Sequence, residues 1–134
     1  MTLVDNKRIS IETSLQNILV VDDDFAMRRG IGLMLQGKGY GVSEVSDGSE
    51  ALQIAAKQNF DLAILDLFLP DVDGIELAQE IKQTNSDTKI ILLTAFIEST
   101  LAKKAQEIFK DDFLGKLDIQ EKLIFRIEHI FRNG

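Results

Sequence analysis

From Asn17 onward the sequence alternates between short apolar runs and stretches whose apolar residues recur at helical spacing. ILVV (18–21) is apolar throughout and stops at three consecutive aspartates. FAMRRGIGLMLQGKG follows, with Met27, Ile31, Met34 and Leu35 spaced for one face of a helix. YGVSEV (40–45) alternates like a strand, and DGSEALQIAAK opens on Asp-Gly and sets Leu52, Ala55 and Ala56 on one helical face. DLAILD (61–66) is the third apolar run; after it come a loop with the chain's one proline and the helical stretch GIELAQEIKQ. TKIILLTA (88–95) predicts a fourth strand, ESTLAKKAQEIF a helix, DFLG (112–115) a short fifth strand and IQEKLIFRIEHIFR the last helix.

Strand and helix thus alternate five times. Runs that are apolar throughout suit strands covered on both faces. The expected fold is α/β: a five-stranded parallel sheet, doubly wound, with right-handed crossovers. Residues 17–132 form the expected domain. Residues 1–16 are mostly polar with a weak alternation in RISIE, and are expected to be a flexible extension or a short added element.

In such sheets ligands bind beyond the carboxyl ends of the strands. The residues arriving there are Asp22, Asp23 and Asp24, then Asp66, Thr94 and Lys116. Asp66 is conspicuous, because it closes an apolar strand and an unpaired carboxylate there is costly. Carboxylates gathered without His or Cys are hard oxygen ligands of the kind that suit Mg²⁺. A carboxylate beside such a cation can attack phosphorus and form an aspartyl-phosphate. Lys116 could neutralise phosphoryl charge and Thr94 could donate to a phosphoryl oxygen. Taken singly, each has a plainer reading: Asp23 or Asp24 as a helix N-cap, Thr94 as a β-branched strand residue, Lys116 as a solvated surface group. The coincidence of all of them at one sheet edge favours a shared site.

Composition narrows the field. Fifteen basic and 22 acidic side chains give a formal charge of −7, which suits a cation site and disfavours non-specific nucleic-acid binding. The sequence has no cysteine, so thiolate chemistry and Cys-based zinc sites are excluded. No apolar run approaches the ~20 residues of a membrane span, and a cytoplasmic protein without membrane contact is the default expectation. On the last helix Ile119, Leu123, Ile127 and Ile130 form one stripe, with Phe125 almost opposite as an exposed aromatic or a dimer or effector contact. The one histidine, His129, is expected on the exposed side of that helix.

ILVVDDD, LDLFLPDVDG, ILLTA and DDFLGK, in this order and spacing, resemble the receiver domain of two-component response regulators, over about residues 17 to 132. The resemblance implies the flavodoxin-like, CheY-like receiver fold and a phosphoacceptor switch. It implies Asp66 as phosphoacceptor, and Mg²⁺ held by Asp22, Asp23, Asp66 and the backbone carbonyl of Phe68. Thr94 would be the switch hydroxyl, Lys116 the partner of the phosphoryl group and Phe113 the aromatic that turns inward behind Thr94. The implied phosphodonor is a histidine kinase or histidine phosphotransfer protein, and output to an effector or output domain would leave by the helix 4–strand 5–helix 5 face, where a homodimer could also form. The chain would be a signalling switch rather than an enzyme, catalysing only its own phosphorylation and dephosphorylation. Phe68 and Phe96 occupy the positions that flank the path of hydrolytic water in this family, so slow self-dephosphorylation is expected.

Two positions depart from the family pattern. Leu117 follows Lys116 where proline and a cis bond are usual; a trans bond is expected here, since a cis bond before a non-proline residue costs about 3–4 kcal/mol. Phe109-Lys110 replaces the usual small Gly-Ala pair. These departures keep open a degenerate receiver acting as a protein-binding module. ILVVDDDF also fits the opening of a haloacid-dehalogenase-type phosphatase using Asp22 as nucleophile and Asp24 as general acid, but no Gly-Thr pair follows Asp24 and Asp66 would have no purpose.

Overall fold

The computed structural model describes residues 15–133. The element expected within residues 1–16 lies, apart from Leu15 and Gln16, outside the described residues. The elements are β1 (Asn17–Val21), α1 (Phe25–Gly37), β2 (Gly41–Val45), α2 (Gly48–Lys57), β3 (Leu62–Asp66), α3 (Gly74–Thr84), β4 (Lys89–Thr94), α4 (Thr100–Phe109), β5 (Phe113–Gly115) and α5 (Ile119–Asn133). All strand pairs are parallel and their order is β2-β1-β3-β4-β5. The expected doubly wound α/β fold is therefore present.

The apolar runs of β1, β3 and β4 are continuous because the sheet is covered twice. Leu19, Val21, Ala63, Leu65 and Leu92 face a core closed by Ala51 of α2, Ile75, Leu77, Ala78 and Ile81 of α3, and Ala102 and Ala105 of α4. Ile18, Val20, Ile64, Ile91 and Leu93 face the other core, closed by Ile31 and Leu35 of α1 and by Ile119, Leu123 and Ile127 of α5. The two-residue alternation of a strand sends neighbours to opposite cores. Phe125 is 66% exposed and His129 is exposed, as the helical wheel of α5 requires.

Helix α2 corrects its expected face. Ala51 and Ala55 are buried, Leu52 is half-buried and Ala56 is exposed. Asp47 caps the helix through Glu50 N, and the close-packed stripe Gly48–Ala51–Ala55 follows from that start. Small residues there let α2 lie near the sheet; the face turns from the expected one so that Ala55 stays on it, Ala51 joins it, Leu52 sits at its margin and Ala56 falls outside.

The two departures near β5 have distinct structural consequences. Lys110, at the end of α4, has φ 45°, the only positive φ of a non-glycine among the described residues. A side chain in that region strains the backbone by about 1 kcal/mol or more, so the Phe109-Lys110 substitution concentrates strain just before β5. Among the described residues there is no cis peptide bond, so Leu117 follows Lys116 in trans, in a short 3₁₀ turn, with its side chain fully exposed.

Candidate functional site

Strand register brings the acidic residues to one edge. Val21 pairs with Leu65, Asp66 with Leu93 and Thr94 with Gly115, so β1, β3, β4 and β5 end nearly level. Asp22 directly follows β1 and is 1% exposed, while Asp66 ends β3 and is 6% exposed. Thr94 ends β4 and is fully buried. Lys116 enters from the turn after β5, its Nζ 2.8 Å from Asp22 Oδ2 and 3.3 Å from Asp66 Oδ2. Asp23 is exposed but presents a carboxylate oxygen to the same place: oxygens of Asp22, Asp23 and Asp66 all lie within 4.8 Å of one another. Asp24 stands apart as the N-cap of α1, accepting from Met27 N at 3.2 Å.

The local chain explains how Asp66 is held. Its Oδ1 accepts from Phe68 N at 3.3 Å, and Leu67 N donates to Leu93 O at 2.8 Å. The loop then returns tightly, with Gly74 N donating to Leu67 O at 2.7 Å. A Cβ on Gly74 would stand 2.8 Å from Asp66 O and from Leu67 Cα, so only glycine lets α3 start so close to β3. Asp73 caps α3 through Glu76 N, and Asp71 reaches across to α2, accepting from Gly48 N and Ser49 N at 2.9 Å each. Those amides, Gly48's first, hold the Asp71 carboxyl below its ordinary value.

Charge in the pocket is unbalanced. Burial, then the Asp22 carboxylate, push the Asp66 carboxyl up to about 6, against Lys116 and the Phe68 amide, which pull it down. Burial alone would lower the Lys116 ammonium, but the Asp22 and Asp66 carboxylates outweigh it and the net shift is upward. Three carboxylates face one lysine. Oxygen ligands about 2.1 Å from Mg²⁺ stand about 3 to 4 Å from one another, which falls inside the 4.8 Å that bounds these oxygens, and the donor set holds no nitrogen or sulfur. The residues therefore fit a divalent metal.

At the end of β4, Thr94 Oγ1 accepts from Phe96 N at 3.0 Å, leaving its hydroxyl proton free to be donated. The Phe68 and Phe96 rings meet edge to face with centroids 5.7 Å apart. Phe113 is half-buried against the core under α2–α4, two residues before Gly115, the register partner of Thr94.

A family model described as the response regulator receiver domain matches residues 18–128. The chain belongs to this family. It is a receiver domain of two-component response regulators, a signalling domain. The receiver is 33% identical over 123 residues to the transcriptional regulatory protein ResD of Bacillus subtilis, covering 92% of this chain and 51% of ResD. It is 34% identical over 116 residues to a cyclic di-GMP phosphodiesterase of Thermotoga maritima, covering 87% of this chain and 31% of that protein. The receiver thus spans about half, or less, of the length of these curated relatives. A crystal structure of the response regulator TrrA from Thermotoga maritima, in complex with Mg²⁺-BeF, matches with a TM-score of 0.72 at 35% identity, over 86% of this chain and 98% of that one. Among the described residues of the receiver, no helix is long and apolar enough to cross a membrane.

Sequence reasoning did not single out Asp71, Gly74 or Arg28. Gly74 was foreshadowed by the Asp-Gly pair that opens α3; the contacts of Asp71 join segments 22 and 23 residues apart, and that of Arg28 reaches a backbone carbonyl six residues back, so neither leaves a mark in the residue pattern. Arg28 Nη1 donates to Asp22 O at 2.8 Å, directly beneath the acidic set.

Proposed function

We propose that this receiver is a phosphorylation switch modified on Asp66. The observation that carries the reading is the Asp66 carboxylate, buried at a strand end, within 4.8 Å of the Asp22 and Asp23 oxygens and 3.3 Å from Lys116 Nζ. With a carboxyl that ionises at about 6, Asp66 is a carboxylate at neutral pH. Its oxygen forms the new bond to phosphorus as the bond from phosphorus to the donor's imidazole nitrogen breaks. In this reading Lys116 pairs with the incoming phosphoryl oxygens and Thr94 donates to one of them. Asp22, Asp23, Asp66 and the carbonyl of Phe68 would hold Mg²⁺, which supplies neutralisation of phosphoryl charge. Movement of Thr94 toward the phosphoryl group, with Phe113 turning inward behind it, is the switch this reading assigns.

The donor in this reading is a histidine kinase or histidine phosphotransfer protein in the cytoplasm, and the chain catalyses only its own phosphorylation and dephosphorylation. The domain in this reading runs from 17 to 132. Output passes to an effector, an output domain or a second copy through the face of α4, β5 and α5, where Phe125 is exposed. The test is incubation with a small phosphodonor and Mg²⁺: wild type takes up phosphate, and Asp66→Ala takes up none. Phosphate mapped to Asp22, or uptake unaffected by Asp66→Ala, would overturn the assignment.

The Phe68–Phe96 pair supports a long-lived phosphoryl group: the two rings meet edge to face at the positions that, in this reading, flank the path of a hydrolytic water. Loss of phosphate from the isolated protein is expected over many minutes or longer, and truncating both rings to alanine shortens that lifetime. A wild-type half-life of seconds would sink the idea.

A further inference from the structure

Asp23 is the one member of the acidic set with an exposed side chain, so packing does little to aim it. Its direction depends on the backbone on either side. On one side Asp24 N donates to Asp22 Oδ1 at 3.0 Å. On the other, the Asp22 carbonyl accepts from Arg28 Nη1 at 2.8 Å. Arg28 is itself held from three directions: its side chain is only 15% exposed, its Nε lies 3.6 Å from Glu44 Oε1, and its guanidinium sits over the Phe25 ring, 5.4 Å from the centroid. Glu44 belongs to β2, next to Val45, whose carbonyl accepts from Asp22 N at 3.2 Å, and it is also paired with Arg29. A Cβ on Gly32 would collide with the Glu44 carboxylate, so glycine in α1 leaves the room in which that carboxylate sits.

We propose that Arg28 is a positioning residue for the cation site: by holding the Asp22 carbonyl it fixes the Asp22–Asp23 peptide plane, and so the direction in which Asp23 faces Asp22 and Asp66. Glu44 is the brace that keeps Arg28 in place. The inference rests on the reading of these carboxylates as a divalent-cation site. Charge and position make opposite demands here, which is what makes the idea decidable. As a positive charge near the site, Arg28 repels a divalent cation, and its removal by charge alone would tighten binding. As a positioning group, its removal loosens the ligand set and weakens binding.

The experiment is calorimetric titration of the full metal-free chain with Mg²⁺, together with backbone amide resonances recorded before metal is added. Arg28→Met is expected to weaken Mg²⁺ binding about tenfold, the size usual for groups that orient metal ligands. Arg28→Lys, which keeps a donor and the charge, stays near wild type. Glu44→Gln is expected to weaken binding by a smaller factor, but there charge and position act in the same sense, so if Arg28→Met fails to fold the decision passes to the Asp23 and Asp24 amides of Glu44→Gln recorded without metal. The Asp23 and Asp24 amides are expected to shift and exchange faster in Arg28→Met without any cation. Binding as tight as or tighter than wild type in both variants, or amides that do not change, would overturn the proposal. A wild type that binds no Mg²⁺ would overturn the cation-site reading instead, and the metal-free amides would still decide whether Arg28 sets this loop.

Discussion

Replacing Lys116 with methionine is expected to destabilise the metal-free domain by about 3 kcal/mol, and excess Mg²⁺ is expected to restore most of that loss. The ammonium is the only cation that the structure pairs with the Asp22 and Asp66 carboxylates among the described residues, and both acids are almost fully buried. Removing one partner of a buried ion pair costs about 3–5 kcal/mol, because the other charge is left without compensation. The lower end applies because the Lys116 side chain keeps 12% of its exposure. Methionine keeps the length and loses the charge. A divalent cation then takes over the neutralising role, and its binding to the folded state alone adds stability by mass action. Urea denaturation with and without Mg²⁺ measures both effects. A loss below about 1 kcal/mol, or one indifferent to Mg²⁺, would show that these carboxylates do not depend on the lysine.

Replacing Asp66 with asparagine is expected to act in the opposite sense, stabilising the metal-free domain by about 1–2 kcal/mol at pH 7. Burial, then Asp22, raise the Asp66 carboxyl from 3.8 to about 6. The folded state therefore holds this proton more tightly than the unfolded chain does. Below about pH 4 the carboxyl is protonated in both states and imposes no penalty. As pH rises from about 4 to about 6 the unfolded chain ionises first, and stability falls; above about 6 the full cost is present. A shift of two units is worth at most about 3 kcal/mol, and asparagine forfeits part of this by leaving Lys116 with Asp22 alone. Denaturation of both proteins between pH 4 and pH 8 without metal should show the advantage of the variant growing with pH. An advantage that does not change with pH would refute the cause assigned. The two substitutions also couple: Asp66→Asn in the Lys116→Met background should recover part of its loss, since the acid it removes is the one left unpaired.

The sequence was most informative where one residue type had one physical explanation. Uninterrupted apolar runs such as ILVV and LAIL specified strands covered on both sides, and the polar residues closing them specified an edge where chemistry could gather. Asp66 was legible for that reason, as was the exposure of Phe125 from the wheel of α5. Legibility was lower where small residues did the packing: Ala51 and Gly48 determine how α2 meets the sheet, yet alanine and glycine announce little by themselves. It failed for side-chain contacts that no residue pattern announces. Nothing local to MRRG indicates that Arg28 reaches the carbonyl of Asp22, or that Glu44 on β2 waits to hold it. The backbone cost at Lys110 was similarly hidden, because a lysine at a helix end is ordinary until its φ is known.

The Asp71 carboxylate gives the loop after β3 a property that matters to anyone rebuilding this domain. It belongs in sequence to that loop, but its two hydrogen bonds go to amides 23 and 22 residues earlier, at the first turn of α2. Val72, beside it, lies so close to Gly48 that a Cβ there would collide with it. Residues 67–73 and the first turn of α2 are thus a single unit of exchange. A chimera that imports the loop of another receiver must import that turn as well, or keep an acid at 71 and glycine at 48.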